Sequence, residues 1–225
     1  MTLAVMTLLA AIPGLPEQLD PKWLIQNGGP WLLFAIIFAE SGLLIGFFLP
    51  GDSLLFTAGA VAAGVFTDWG VEFNIYMIVI GCFIAAVTGD QVGYLIGNKA
   101  GPKLFNRPDS RLFKQEYVNK GTEFFQKYGG RAIVLARFVP IVRTFVPTIA
   151  GVSNMHYVDF LKYNVVGGLL WAVGVTMLGY FFGQISFVNE NIEIALILIV
   201  FISILPILFE FQKARKEKRA EAAEA

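Results

Sequence analysis

An all-α polytopic membrane protein is the fold class this sequence predicts, and three observations predict it. The first is composition: of the 225 residues 56% are hydrophobic and only 15% charged, where soluble domains carry roughly 25% charged residues. The second is a series of apolar stretches near the roughly 20 residues a helix needs to cross hydrocarbon, under a mean hydropathy of +0.65. The third is the placement of charge, with basic residues gathered in one loop and the tail and isolated acids and arginines inside apolar stretches. Formal net charge is zero, so its total implies no partner.

Taken in order, residues 1–30 read as an N-terminal interfacial segment. Met1–Ile12 is apolar but lacks a basic leader and is too short to span, so no cleaved signal peptide is expected, and Pro13, Pro16 and Pro21 punctuate the stretch after it. A membrane domain is expected over 31–212. Within it, 31–66 is apolar but divided by Pro50-Gly51-Asp52, 75–98 is a spanning helix, and 99–131 is a basic loop. Residues 132–152 form a second apolar stretch interrupted by Pro140 and Pro147, followed by spanning helices at 161–184 and 194–211. Residues 213–225 are a charged, Ala-rich tail that reads as a solvated helical extension.

The loop with Lys99, Lys103, Arg107, Arg111, Lys114, Lys120, Lys127 and Arg131 belongs in the cytoplasm by the positive-inside rule, as does the tail with Lys213, Arg215, Lys216, Lys218 and Arg219. If 132–152 crossed the membrane, the two helices after it would leave the tail outside. If 132–152 enters and returns, the tail lands inside, and Pro140 and Pro147 supply the breaks. The same reasoning makes 31–66 a hairpin that enters from the opposite side and turns at Pro50-Gly51-Asp52. The halves echo one another: Ala39-Glu40 precedes Phe48-Leu49-Pro50 as Ala136-Arg137 precedes Phe145-Val146-Pro147, and Gly93–Asn98 parallels Gly179–Gln184. The expected architecture is thus an inverted repeat of two opposed re-entrant helical hairpins, each followed by a transmembrane helix, plus a C-terminal transmembrane helix.

Glu40 and Asp52 lie in the first hairpin, Arg137 and Arg143 in the second. A charge near the bilayer centre costs on the order of 2.5–3.5 kcal/mol on insertion scales, so it is kept with a partner or for a function. Arginine stays charged and presents a planar fork suited to phosphate or carboxylate, which makes Arg137 and Arg143 candidate anion-binding residues; snorkelling to the surface is the structural alternative. Glu40 and Asp52 are candidate proton-coupling or gating groups, although Asp52 before Ser53-Leu54-Leu55 also suits the N-cap of the returning helix. If the hairpin tips meet, the two acids face the two arginines. Asp90 is a secondary candidate, with structural hydrogen bonding as its alternative, and Asn164 and Trp171 are weaker candidates, with interfacial or packing roles as theirs. Cys82 is the sole cysteine and sits in an apolar run, which excludes an intramolecular disulfide or a cysteine metal cluster and suggests simple burial. His156, the sole histidine, reads as structural.

At these residues the sequence resembles the DedA family of bacterial inner-membrane proteins, related to the VTT-domain (SNARE-associated) lipid scramblases of eukaryotes. The resemblance covers about Trp31 to Gln184 and rests on three segments: Glu40 with Pro50-Gly51-Asp52-Ser53, Gly89–Gly97, and Arg137–Pro147 running into Ala150-Gly151. It implies opposed re-entrant hairpins and lipid translocation, with undecaprenyl phosphate the leading substrate. It also implies a link to proton-dependent membrane homeostasis, and it carries the family's functional acids onto Glu40 and Asp52 and its arginines onto Arg137 and Arg143.

The expected function is a flippase- or scramblase-like translocase for an anionic lipid, with proton coupling left open. A non-transporting membrane homeostasis or assembly factor is the alternative. A membrane enzyme acting on lipid phosphate is disfavoured, since no Gly-x-Ser-x-Gly or His-Glu-x-x-His motif occurs. No cofactor, metal or nucleic acid is expected, the expected partners are the lipid and protons, and homo-oligomerisation stays open. The expected location is the bacterial inner membrane, with loop 99–131 and the C-terminus cytoplasmic.

Overall fold

The computed structural model describes residues 21–43, 49–105, 125, 128–138 and 140–185. All but Ile185 lie in one compact unit, Pro16–Gln184. The N-terminal segment up to residue 20, the spanning helix read at 194–211 and the tail 213–225 lie outside the described residues, as does most of the basic loop.

All regular structure among the described residues is helical. Helix α1 (Pro21–Gly42) opens on a proline, whose fixed φ and missing N–H suit a first turn. It therefore begins ten residues before the hairpin expected at 31, and the two parts join across a kink at Gly29-Pro30. Gly29 takes φ 57°, a conformation open to glycine, and Pro30 removes a helix hydrogen bond. Helix α2 (Gly51–Ala62) begins after Pro50. Pro50, not Asp52, holds the cap position; Asp52 lies in the first turn and makes no capping bond, because its carboxylate is engaged elsewhere.

Helix α3 (Ile75–Phe105) is capped by Asn74, whose Oδ1 accepts from the N–H groups of Tyr76 (3.0 Å) and Met77 (3.3 Å). Its 31 residues span about 46 Å at 1.5 Å per residue, so it runs past hydrocarbon thickness into the expected basic loop. Helix α4 (Arg131–Ala136) gives way at Arg137-Phe138 to α5 (Pro140–Val152). Only one of the two expected proline breaks is seen. Pro140 opens α5, whereas Pro147 lies inside it, a position that helices packed in membranes tolerate when neighbours meet the freed backbone groups. Helix α6 (Tyr157–Gly168) continues through a π-helical turn at Leu169–Val173 into α7 (Gly174–Gly183).

Packing depends on backbone-to-backbone approach at glycines. Helix α1 crosses α3 where a Cβ on Gly42 would stand 2.5 Å from the Gly89 carbonyl oxygen, and α5 crosses α3 where one on Gly151 would stand 2.7 Å from the Asn98 nitrogen. Helix α2 lies on α7, with Gly59 against Thr176 and Tyr180, and α4 lies on α6. Two apolar clusters result. One unites α1, α2, the first half of α3 and the π turn around Ile25, Ile37, Leu54, Ile78 and Cys82; the other joins Tyr94, Ile133, Val146, Ala150 and Phe160. Asp90 lies on α3 between the last residue that helix gives the first cluster, Ala86, and Tyr94 of the second.

The outside of this unit is apolar and its inside holds charge. Trp31 is 76% and Tyr76 77% exposed, and Ile80, Leu135, Leu169, Leu170 and Phe181 are also exposed. Glu40, Asp90, Arg137, Thr144 and Asn164 are buried. That inversion suits a lipid surround, where apolar side chains face solvent and ionisable groups turn inward in pairs. Two helical runs, Ile75–Lys99 and Tyr157–Gly183, are long and apolar enough to cross a membrane.

Candidate functional site

The break after α1 and the start of α2 bring two carboxylates to the same guanidinium. Glu40, two residues before the end of α1, is 1% exposed. Its Oε1 accepts from Nη2 of Arg143, while its Oε2 lies against Gly51, where any Cβ would collide with it. Asp52, one residue further into α2, accepts from Nη1 of Arg143 at 2.7 Å. Its side chain is 44% exposed, against 10% for Arg143, so this bridge has one sealed arm and one open arm.

Trp171 completes this group. The π turn at Leu169–Val173 buries its indole, and Nε1 donates to Asp52 Oδ1 at 2.7 Å. The Arg143 guanidinium lies over the same ring at 4.6 Å and that of Arg137 at 5.9 Å, within cation–π range. Single π turns of this kind are frequent at functional sites.

Arg137 has different partners. Its Nη2 donates to Asp90 Oδ2 and to Asn164 Oδ1 (2.5 Å), and Asn164 in turn donates from Nδ2 to the Val87 carbonyl at 3.1 Å. The side chains of Arg137 and Asp90 are each 5% exposed. The expectation that Glu40 and Asp52 jointly face both arginines is therefore corrected. Arg143 takes both of those acids, and Arg137 takes Asp90. The break between the helices explains the division: Arg137 caps the end of α4 while Arg143 lies within α5, so no single helix face holds both.

Sequence reasoning ranked Asn164 and Trp171 as weaker candidates and left Asp90 in second place. A signal for Trp171 existed: it stands in the middle of a spanning run rather than at an interface, where its N–H needs an acceptor. His156 is exposed just ahead of α6, and Cys82 is fully buried in the first apolar cluster. Among the described residues, no group of three or more His, Cys, Asp or Glu could hold a metal ion.

A helical unit with an apolar exterior, two spanning-length helices and an interior cluster in which two arginines ion-pair with three acids defines a polytopic membrane protein with a charged interior site. The model of the VTT domain matches residues 49–181, which includes every member of this cluster except Glu40. The chain is 46% identical over 205 residues to Protein DedA of Escherichia coli strain K12, covering 90% of each protein. It is 44% identical over 216 residues to an uncharacterised membrane protein of Mycobacterium tuberculosis, covering 93% of this chain and 92% of the other. The inner membrane protein YghB of Salmonella typhimurium is 33% identical over 178 residues, or 79% of this chain and 77% of its own. No solved structure matches. The chain belongs to the DedA family of VTT-domain membrane proteins.

Proposed function

We propose that this protein translocates an anionic lipid, with a polyprenyl phosphate such as undecaprenyl phosphate as the substrate, and that protons open its site. The observation that carries the reading is the shared Arg143 bridge, a buried cation held by one sealed and one half-open carboxylate from separate helices. A phosphate reaching the cluster competes with Asp52 for the guanidinium fork. Charge counting supports proton involvement. With two arginines and three ionised acids the cluster is net negative by one; one proton makes it neutral, and a second leaves it net positive and receptive to an anion.

The packing pattern supports the opposed-hairpin architecture. Each first arm lies on the spanning helix of its own half, α1 on α3 and α4 on α6, and each second arm on the spanning helix of the other half, α5 on α3 and α2 on α7. In this reading α1–α2 and α4–α5 are re-entrant arms of an inverted repeat, and the cluster is their meeting point. The basic loop and tail face the cytoplasm, and the membrane is the bacterial inner membrane. The protein acts as a transporter, not an enzyme, and needs no cofactor.

Reconstitution in proteoliposomes with undecaprenyl phosphate, with and without a pH gradient, tests the reading. Arg143→Ala is expected to abolish flux, and Arg143→Lys to impair it, because lysine keeps the charge but loses the fork. Wild-type flux from both variants would refute the role of Arg143, whereas no flux through the wild-type protein would point instead to a non-transporting role in membrane assembly.

A further inference from the structure

Of the buried side-chain atoms that lack a hydrogen-bond partner among the described residues, Nε2 and Oε1 of Gln91 and Nε of Arg137 fall in one corner of the unit. Gln91 directly follows Asp90, the acid that holds Arg137. Its neighbours on the same side of α3, at i−4 and i+3, are Val87 and Tyr94. Val87 accepts from Asn164 through its carbonyl, and Tyr94 stacks on Phe160 with ring centroids 4.5 Å apart. That side of α3 therefore runs along α6, with Gln91 at the level between Asn164 and Phe160. Arg137 reaches the same stretch of α6, bonding Asn164 and placing Nε where a Cβ on Gly167 would approach to 2.9 Å.

A primary amide sealed from solvent with neither its donor nor its acceptor matched is costly, and an apolar side chain of the same size would avoid that cost. Arg137 is only half engaged: Nη2 is taken, while Nε has no partner among the described residues. Guanidinium groups bind phosphate through two parallel N–H donors. Both residues thus carry hydrogen-bonding capacity that the described residues leave unmatched.

We propose that Gln91 is a headgroup ligand that completes, with Arg137, a second phosphate half-site at the corner of α3, α4 and α6. The proposal rests on the lipid-phosphate function proposed for this protein. A phosphate that displaces Asp90 engages Nε and Nη2 of Arg137 and accepts from Gln91 Nε2. Gln91 Oε1 then accepts from a protonated phosphate oxygen. A phosphomonoester carrying one proton offers that P–OH group, whereas the phosphodiester of an ordinary phospholipid has none. Gln91 therefore selects a lipid phosphomonoester over a phosphodiester.

The test uses the purified full chain in detergent, with farnesyl phosphate as the monoester probe and phosphatidylglycerol as the diester. Gln91→Met keeps size and removes the amide. Expected are an unchanged or raised melting temperature, farnesyl phosphate binding weakened at least about tenfold, and a smaller loss for phosphatidylglycerol, which forfeits only the Nε2 contact. A lowered melting temperature would show that the amide is structural and overturn the proposal, as would farnesyl phosphate affinity equal to wild type or equal loss for both lipids. Failure of the wild-type protein to bind farnesyl phosphate would overturn the lipid-phosphate function itself.

Discussion

Replacing Arg143 with methionine removes the cation that Glu40 and Asp52 share and should expose how unequal their two bonds are. Glu40 is 1% exposed, so the change strands a sealed carboxylate, and breaking a buried pair in this way costs about 3–5 kcal/mol. The Asp52 side chain is 44% exposed, and a partner that keeps its water contributes about 0–1 kcal/mol. The double variant Glu40→Gln with Arg143→Met leaves no lone buried charge and should recover most of the loss, whereas Asp52→Asn with Arg143→Met should recover little. A double-mutant cycle on reversible unfolding in detergent measures both couplings: about 2–4 kcal/mol for Glu40–Arg143 and under about 1 kcal/mol for Asp52–Arg143. Flux separates stability from function, because the double variant with Glu40→Gln should be stable yet inactive. Equal couplings, or a larger one at Asp52, would refute the division of the bridge into a sealed and an open arm.

Asp90→Ala leaves Arg137 buried with Asn164 as its hydrogen-bond partner among the described residues; it should cost about 3–5 kcal/mol, and Asp90→Ala with Arg137→Met should restore most of that loss in the same unfolding assay. Trp171→Phe keeps a ring under Arg143 but deletes the donor to Asp52; stability should fall by about 1 kcal/mol while flux assays show a slower protein. Gly151→Leu drives a side chain into the α3 backbone at Asn98, so the variant should fail to give a monodisperse, cooperatively melting protein. Cys82, the chain's only cysteine, is fully buried, so it should resist maleimide labelling until the protein unfolds, and rapid labelling of the native protein would contradict the packing of α3.

Much of the fold was legible because hydropathy is a local property. The run that became α3 and the run through α6 and α7 announce themselves by length and apolarity. The punctuation at Pro50-Gly51 and Pro140 marks where α2 and α5 begin, since proline suits a helix start. The start of α1 at Pro21 was less visible, because Gly29-Pro30 reads as a boundary and is in fact a kink that tertiary packing bridges. Pro147 misled in the same direction: its cost is local, but the contacts α5 makes with α3 are not.

The site divides along the same line. Sequence alone determined that Glu40, Asp52, Asp90, Arg137 and Arg143 stand within or beside apolar stretches, because the cost of such charge follows from composition and position. Tertiary structure decided the pairing. Arg143 meets Glu40 and Asp52 across separations of 103 and 91 residues, and Trp171 reaches Asp52 across 119. Those meetings depend on which helix faces approach one another and on a break and a π turn that rotate side chains out of simple register. Hydropathy carries no information about rotation, so only the packed helices could send Arg137 to Asp90 and leave Arg143 to bridge the other two acids.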